Sequence, residues 1–307
     1  MVTEIPTEME PKRVPHPQAR PKIRLFIEGR YQKLVRDLPQ TVFFCPECKG
    51  RRRRKGEPCP RCEGRGKLTK DSVQELIERI ALPRFKCWKS KFHGAGREDI
   101  DVRMLGEGRP FILELINPKA PLADLAEIEE TIGREYAGRI VVSGLRLVPK
   151  KRVAELKETK HPKEYSLRIH TASTPTPALL GALVRPRFQV RQRTPERVAH
   201  RRADLDRHRW IEVLSVEPLD GSDALVKVRC EHGTYVKEFV SGEGGRTEPN
   251  LSQMLGTACT CVELDVTAIL PPEPEAAPPL DQLGGENPKK NEDRSAPLNA
   301  GEPLAEE

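Results

Sequence analysis

The chain contains 307 residues, of which 36% are hydrophobic and 32% are charged, and its formal net charge is +7. This length allows one large domain or two small ones, and the low apolar fraction indicates that part of the chain does not pack. It contains no run of 18 apolar residues and no signal-peptide pattern at its N-terminus, so we expect a cytoplasmic protein without a membrane partner. In that compartment the eight cysteines are thiols or metal ligands.

The positive charge is distributed unevenly. Residues 271–307 contain nine acidic and three basic residues, so this segment carries −6 and residues 1–270 carry +13. A body this basic suits a polyanionic partner, because side chains that neutralise phosphates release the counterions bound there. We therefore expect a nucleic acid partner, with a generic basic surface that maintains solubility as the alternative. The eight prolines of residues 271–307 and their lack of periodicity predict a disordered tail.

The N-terminal part of the chain divides into a proline-rich arm and a cysteine-rich module. Residues 1–22 combine five prolines with polar residues, which predicts a disordered arm. A short strand and a turn are expected over residues 23–40, and a compact cysteine module runs from Cys45 to Cys62. We assign residues 23–70 to a small zinc-knuckle module.

An amphipathic helix is predicted over residues 71–81. Ser72 and Glu75 form the signature of a capping box at its start, and Pro83 is expected to end it. The apolar residues with helical spacing are Val73, Leu76, Ile77 and Ile80.

Short strands and helices alternate through residues 71–270, which we expect to form a larger domain. An amphipathic helix is predicted over residues 121–136, ended by Gly138, and a short helix over residues 175–184. Strands are predicted over residues 111–116, 139–148, 163–170, 210–216, 224–230 and 262–270, and residues 234–240 fit either a strand or a helix. This order predicts the α+β class, with a large mixed or antiparallel sheet flanked by helices and loops.

Two Cys-x-x-Cys units separated by ten residues form the strongest local motif, and they supply Cys45, Cys48, Cys59 and Cys62. Glycines follow each unit and leave backbone N–H groups available to the sulfurs. Four thiolates in a tetrahedral array are the ligands of a structural zinc ion, so we predict Zn²⁺ here, with an iron–sulfur cluster as the alternative. Because four protein ligands leave no open coordination position, we assign no catalysis to the metal.

Five consecutive basic residues, 51–55, lie between the two cysteine pairs. Like charges on a short loop repel one another unless an anion compensates them, and an RNA backbone would do so; a solvated loop is the alternative. The other cysteines lack knuckle spacing and are interpreted as packing residues: Cys87, Cys230, Cys259 and Cys261.

Residues 96–103 concentrate charge in a short, glycine-led segment, and residues 105–111 are predicted to form a turn after it. A loop that places a carboxylate beside cations at the mouth of a strand is a common arrangement in active sites. A solvated charged turn is the alternative for this segment alone. Its charged residues are Arg97, Glu98, Asp99, Asp101 and Arg103.

Three segments together resemble the active-site motifs of pseudouridine synthases: Gly-Arg-Glu-Asp at 96–99, Lys-Glu-Tyr at 163–165 and Cys-Glu-His-Gly-Thr-Tyr-Val-Lys at 230–237. Longer segments, within 92–111, 191–204 and 237–247, are similar to the archaeal tRNA pseudouridine-54/55 synthases, the Pus-ten family. The resemblance covers roughly residues 23–270, including the cysteine pairs. It implies a pseudouridine synthase fold and the isomerisation of uridine at position 54, 55 or both in the TΨC arm of tRNA, without an organic cofactor.

The resemblance also implies roles for individual residues. Asp99 corresponds to the essential aspartate, as a nucleophile or an electrostatic stabiliser. Lys237 is expected to keep Asp99 ionised, since a carboxylate buried alone would take up a proton. Tyr165 is expected to stack on the target base, Tyr235 to contribute to substrate binding, and Arg97 to fill the space left by a flipped uridine.

The remaining charged residues are given structural or RNA-backbone roles. Glu98 and Asp101 are interpreted as structural carboxylates that pair with Arg103 or Arg109. Eight arginines of a mostly polar stretch are interpreted as RNA-backbone contacts, with a solvated face as the alternative: Arg185, Arg187, Arg191, Arg193, Arg197, Arg201, Arg202 and Arg207.

Members of this family commonly carry an accessory RNA-binding domain of the THUMP type. Because 44 residues precede Cys45, we expect no such domain before the cysteine module. Two other functions are alternatives: a non-catalytic zinc-ribbon RNA-binding protein with a synthase-like fold, and a chaperone-type zinc module. The intact Asp99, Tyr165 and Lys237 argue against the first, and the arginine-rich flanks of the cysteine pairs argue against the second.

Overall fold

The computed structural model describes residues 23–54, 56–200 and 202–273. The arm predicted over residues 1–22 and nearly all of the tail predicted over 271–307 lie outside the described residues. The described residues up to Pro272 form one compact unit. Within them, no helix has the length and apolarity needed to cross a lipid bilayer.

A large mixed sheet dominates the described part of the chain. The strands are β1 (Arg24–Lys33), β2 (Arg53–Arg54), β3 (Glu57–Pro58), β4 (Lys89–Gly94), β5 (Arg103–Ile116), β6 (Ile140–Leu147), β7 (Lys163–Thr171), β8 (Arg185–Arg193), β9 (Asp206–Pro218), β10 (Asp223–Cys230), β11 (Thr247–Glu248) and β12 (Cys259–Ile269). The sheet order is β11-β8-β9-β10-β7-β12-β5-β1-β6, with β4 paired to β5 outside this path. The pairing of β12 with β5 is parallel, whereas β5 is antiparallel to β1 and β7 to β10. The predicted α+β class with a large mixed sheet is confirmed.

Within the part of the chain that the structure describes, seven short α-helices lie in the connections between these strands. They are α1 (Val73–Arg84), α2 (Leu125–Glu135), α3 (Arg152–Glu158), α4 (Pro177–Ala182), α5 (Glu196–Ala199), α6 (Val236–Ser241) and α7 (Leu251–Leu255). The segment that fitted either a strand or a helix is therefore helical, as α6.

Helix α1 begins as predicted and ends later than predicted. The Ser72 hydroxyl caps the helix by accepting a hydrogen bond from the Glu75 backbone N–H at 3.2 Å, and it donates to the Glu75 carboxylate at 2.8 Å. Pro83 does not end the helix, because it lies in the last turn, where the missing N–H costs a single hydrogen bond. The turn that follows is closed by the Cys87 N–H, which donates to the Leu82 carbonyl at 2.9 Å.

Strand β5 begins eight residues before its predicted start, and the turn predicted over residues 105–111 is part of it. The glycines that suggested a turn serve close strand contact instead. A Cβ at Gly106 would lie 2.0 Å from the Thr267 carbonyl oxygen, and one at Gly108 would lie 2.6 Å from that of Tyr31. Both glycines have positive φ, so no other residue fits without strain.

Two further segments differ from the sequence predictions. Strand β1, which we grouped with the cysteine module, pairs with β5 and β6 of the large sheet. The arginine-rich stretch forms β8 and α5 and leads into β9. It forms a strand at β8 because the buried side chains Val190 and Gln192 alternate with arginines at the period of a strand.

Three segments that connect strands of the sheet meet at one site, beside the hydrophobic core. Strands β5 and β7 bury the side chains Phe111, Leu113, Leu115, Leu167 and Ile169 in one hydrophobic cluster. The loop of residues 95–102 joins β4 to β5, helix α5 follows β8, and α6 follows β10 and contacts β12. Asp99, Arg197 and Lys237 come together from these three connections.

Candidate active site and cysteine cluster

Asp99 lies on the loop between β4 and β5, and its side chain is 35% exposed. Its Oδ2 accepts a hydrogen bond from Arg197 Nη1 at 2.9 Å and lies 3.6 Å from Lys237 Nζ. The predicted contact between Asp99 and Lys237 is present. Arg197 is the nearer of the two cations beside this carboxylate. The exposed part of the carboxylate faces solvent.

Lys237 is shared between two carboxylates. Its Nζ donates to both oxygens of Asp101, at 2.9 and 2.8 Å, more closely than it approaches Asp99. Burial alone would raise the pKa of Asp101, but the hydrogen bond and charge of Lys237 hold it below its ordinary value. The prediction that Asp101 pairs with Arg103 or Arg109 is wrong, because Arg103 pairs with Asp265 and Arg109 is buried beneath the loop.

Arg197 is a site residue that sequence reasoning did not separate from the other arginines. Its Nε donates to Glu238 Oε1 at 2.6 Å while Nη1 donates to Asp99, so one guanidinium joins helix α6 to the Asp99 loop. The Glu238 side chain is 6% exposed. Arg197 and Asp99 are 98 positions apart, and no local pattern marks Arg197 among its neighbours.

A buried polar network supports the loop below Asp99. Glu98 and Arg109, predicted as a structural pair, form an ion pair at 2.7 Å with side chains 0% and 1% exposed. Tyr31 donates its hydroxyl to Glu98 at 2.7 Å, and Gln40 donates to the Tyr31 oxygen at 2.7 Å. Burial and the Glu98 carboxylate raise the pKa of Tyr31, so the phenol stays a donor. Arg109 also donates to the Ala95 carbonyl at 2.7 Å, which fixes the start of the loop.

Lys33 holds the Asp99 backbone from the other side. Its Nζ, fully buried, donates to the carbonyl oxygens of Leu38 at 2.8 Å, Asp99 at 3.1 Å and Ile100 at 3.1 Å. Burial lowers the pKa of Lys33 to about 8, and the carboxylates of Glu98 and Asp101 oppose this shift. A residue with no motif around it therefore orients the Asp99 loop.

Tyr165 lies near the middle of the sheet, on β7 opposite Val228 of β10 and Val266 of β12. Its ring packs against the main hydrophobic cluster and is partly exposed. Burial raises the pKa of the phenol, and the nearby Cys230, Glu98 and Asp99 raise it further, whereas the Arg109 charge opposes the shift.

The two other predicted substrate-binding residues are placed differently. Tyr235 anchors the start of α6, because its N–H donates to Gln192 Oε1 and its carbonyl accepts from Gln192 Nε2, both at 2.9 Å. Arg97 is exposed and forms no ion pair with the described residues. Its guanidinium is therefore available to a ligand.

The four predicted metal ligands form one buried cluster that could hold a metal ion. The sulfurs of Cys45, Cys48, Cys59 and Cys62 all lie within 4.8 Å of one another. Two of the separations are 3.9 and 3.7 Å, close to the edge of about 3.8 Å that a tetrahedron with Zn–S bonds of about 2.3 Å would have. The Gly66 N–H donates to the Cys62 sulfur at 3.1 Å, as expected for a thiolate knuckle. The donor set and spacing fit a tetrahedral metal ion.

The arginines predicted to contact RNA are engaged to different degrees. Arg193 binds Asp204 through two nitrogens, and Arg191 pairs with Glu248 at 3.1 Å. Arg187 lies 3.6 Å above the Trp210 ring, whereas Arg202 is exposed. Arg201 lies outside the described residues, and Arg51, Arg52 and Arg53 beside the cysteine cluster are exposed.

Comparisons with known proteins agree on one family. The profile described as "Pus10, C-terminal" matches residues 26–269. A protein of Methanothrix thermoacetophila is 42% identical over 79% of this chain and 52% of its own length. One of Methanocaldococcus jannaschii is 42% identical over 80% of this chain and 53% of its own length. Both are named tRNA pseudouridine synthase Pus10, and the chain spans about half the length of these curated relatives.

A solved structure also aligns with the chain. It is a crystal structure of a Cbf5-Nop10-Gar1 complex, 18% identical, covering 64% of this chain and 45% of its own, with a TM-score of 0.37. A likeness this low supports no conclusion. The profile match extends over most of the described sheet and includes the cysteine cluster and the Asp99 loop. The chain belongs to the Pus10 family, and the profile that it matches describes the C-terminal part of that family's proteins.

Proposed function

We propose that this chain isomerises uridine to pseudouridine in the TΨC arm of tRNA, at position 54, 55 or both. The observation that carries the proposal is Asp99, a half-exposed carboxylate between Arg197 and Lys237. Its loop rests on the buried Glu98–Arg109 pair. The family of the chain and the names of its relatives support the same reaction.

The chemistry requires a carboxylate at the junction of ribose and base. The bond between C1′ and N1 breaks, a bond between C1′ and C5 forms, N1 gains a proton and C5 loses one, so no redox change or organic cofactor is involved. Asp99 supplies the negative charge, whether it attacks C1′, attacks C6 or assists formation of a glycal. Arg197 and Lys237 stabilise that charge and fix the direction of the carboxylate.

Two residues are proposed to contact the RNA at the target nucleotide, and a third is proposed to position the site. Tyr165 offers a partly exposed ring on which a uracil stacks. Arg97 enters the space left by the flipped uridine, and filling this space offsets part of the flipping cost of a few kcal/mol. Tyr235 contributes by positioning the start of α6, and therefore Lys237, through its backbone contacts with Gln192.

The cysteine cluster is proposed to bind a structural zinc ion. Zinc would neutralise the four thiolates and cross-link the two knuckles, and it takes no part in the reaction. The exposed arginines beside it then face the RNA backbone from a rigid support. Such a protein would act in the cytoplasm, where its tRNA substrate is found.

The proposed reaction is tested with an unmodified tRNA transcript. Pseudouridine is mapped by carbodiimide-stop sequencing after incubation with the wild type, with Asp99→Asn and with Asp220→Asn. The last is a matched control, because Asp220 is an exposed aspartate in the turn between β9 and β10. We expect stops at position 54, 55 or both with the wild type and the control, and none with Asp99→Asn.

Two results would contradict the proposal. Stops of equal strength with Asp99→Asn would remove Asp99 from the reaction. An absence of stops with a wild type that binds the transcript would favour the non-catalytic RNA-binding alternative.

A further inference from the structure

A groove of about 760 Å³ lies at the end of helix α1, away from the Asp99 site. Its lining includes Leu82, Pro83, Lys86, Trp88 and Lys119. The Trp88 side chain is among the most exposed apolar groups of the described residues, at 87%. A tryptophan in such a position exposes a large apolar face to water, and an aromatic face of this kind is a stacking platform for a nucleic acid base.

The charges of the groove leave it positive. Glu75 pairs with Lys67, and Arg79, which also lines the groove, pairs with Asp71. The charges left are then one carboxylate, Glu78, which accepts hydrogen bonds only from the neutral Gln74 and Ser90, and the two lysines. Lys86 and Lys119 are exposed and have no carboxylate partner within the described residues. The Lys119 N–H donates to the Phe85 carbonyl at 3.1 Å, which fixes this lysine beside the end of α1.

Lys86 occupies a backbone position where glycine is favoured. Its φ is +45°, in the turn that closes α1, with its N–H bonded to the Pro83 carbonyl at 3.0 Å. A side chain at this position strains the left-handed backbone and gains no contact with a carboxylate. At this position the Lys86 charge lies in the lining of the groove, where an external anion can meet it.

Strand β4 connects the groove to the Asp99 loop. Trp88 immediately precedes β4, and Gly94 at its other end leads into the loop. Six residues of strand span about 20 Å, too far for the target uridine to touch both places. Lys89 and Lys91 are exposed and lie on one face of the strand, so positive charge continues from the groove toward the loop.

We propose that this groove, defined by Lys86, Trp88 and Lys119 and named the Trp88 groove, is a second RNA-binding site. An unpaired or unstacked base remote from the target uridine stacks on Trp88, and the backbone phosphates on either side of that nucleoside contact Lys86 and Lys119. The proposal depends on the proposed function only in that the RNA is a tRNA. The groove holds a part of that tRNA outside the TΨC arm.

The test compares affinity and activity for two RNAs, a full-length tRNA transcript and a hairpin with the TΨC arm alone. Trp88→Ala should weaken binding of the full transcript about tenfold, the scale of one lost base stack, and Trp88→Phe should restore most of it. The loss should appear in KM rather than kcat, and should be much smaller for the hairpin. Leu122→Ala is the control, because Leu122 is 90% exposed but does not line the groove.

Lys86→Gly provides a variant that keeps its fold. Glycine suits the positive φ, so thermal unfolding should occur at the same or a higher temperature. The slope of log Kd against log salt concentration should fall by about one, because one phosphate contact is lost.

Unchanged affinity of Trp88→Ala for the full transcript would overturn the proposal, and equal losses for transcript and hairpin would exclude a site remote from the TΨC arm. These binding measurements do not require turnover. If the wild type forms no pseudouridine, the proposed function fails while the groove is still tested by affinity.

Discussion

The Arg197 guanidinium donates to Asp99 at 2.9 Å and to Glu238 at 2.6 Å, so a single side chain links the partly exposed Asp99 carboxylate to a nearly buried one. Hydrogen bonds between ions are stronger than neutral ones and fix orientation as well as charge. Arg197 is therefore the nearer cation to Asp99, whereas Lys237 lies closer to Asp101. Two cations, Arg197 and Lys237, therefore bind three carboxylates at this site. The carboxylates are those of Asp99, Asp101 and Glu238.

Arg197→Met should reduce both stability and activity, for different reasons. Without the guanidinium, Glu238 is buried without a cation, which should cost roughly 1–3 kcal/mol of unfolding free energy. Asp99 loses its nearest donor, and pseudouridine formation should fall at least tenfold. Adding Glu238→Gln should restore much of the stability, measured by urea unfolding, but not the activity.

The double variant separates the two roles of Arg197. If it recovers activity together with stability, the guanidinium supports the fold and does not position Asp99. If Arg197→Lys keeps full activity, the charge suffices and the bidentate geometry is unimportant.

Lys237→Met and Asp101→Asn should have unequal effects. The pair is solvent-exposed on the Asp101 side, 54% for that side chain, so either change should alter the unfolding free energy by less than about 1 kcal/mol. Lys237→Met should reduce pseudouridine formation about tenfold or more, because a cation near Asp99 is lost. Asp101→Asn leaves Lys237 free to approach Asp99 and should change the rate only a few-fold. Single-turnover rates on the tRNA transcript measure both, and a larger loss in Asp101→Asn would instead make Asp101 a reacting carboxylate.

The sequence predicts those parts of the site that local chemistry determines. The four cysteines are predictable because their spacing and residue type follow from metal coordination. Asp99 and Lys237 are predictable because each lies in a continuous motif, although the sharing of Lys237 with Asp101 depends on the packing of α6. Sequence patterns report what is local in the chain.

Contacts made by the folded chain were not predictable in this way. Arg197 has the same composition around it as seven other arginines, and only the position of α5 selects it. Lys33 is a single lysine at the end of a strand, and its burial depends on how the loop of residues 95–102 covers it. The glycines of β5 have the local signature of a turn, and only the neighbouring strands show why glycine is needed there.

Lys33→Met should remove a component of the pH dependence of stability. The pKa of Lys33 is about 8 in the folded chain, against an ordinary value of 10.5. Between these values the unfolded chain binds more protons, so this group makes the unfolding free energy rise with pH, by roughly 3 kcal/mol in total. Below pH 8 Lys33 is charged in both the folded and the unfolded chain, so the cost of burying its charge lowers the unfolding free energy in full.

Urea unfolding of the wild type and Lys33→Met from pH 7.5 to 10.5 measures this component. The variant should show a shallower slope, not a flat one, because burial and the Arg109 charge also lower the pKa of Lys163 to about 8. Activity should fall too, since the Asp99 and Ile100 carbonyls lose their donor. Identical slopes in the two proteins would mean that Lys33 titrates normally.

Removal of the metal should unfold the cysteine module and leave the Asp99 site intact. Without a metal ion the two knuckles lose their cross-link, and the module is left with the two-residue pairing of β2 with β3, the bridge between Phe44 and Lys67 and a few backbone hydrogen bonds. The large sheet does not depend on the cluster, because β1 pairs with β5 and β6. We expect one zinc ion per chain by elemental analysis, and its loss in Cys48→Ser but not in Cys87→Ser, a matched buried cysteine outside the cluster.

The zinc-free protein should be cleaved by protease within residues 45–66 and bind tRNA more weakly, because the exposed arginines lose their rigid support. If the zinc-free module resists protease and the affinity does not change, the cluster is neither a folding element nor part of the RNA-binding surface.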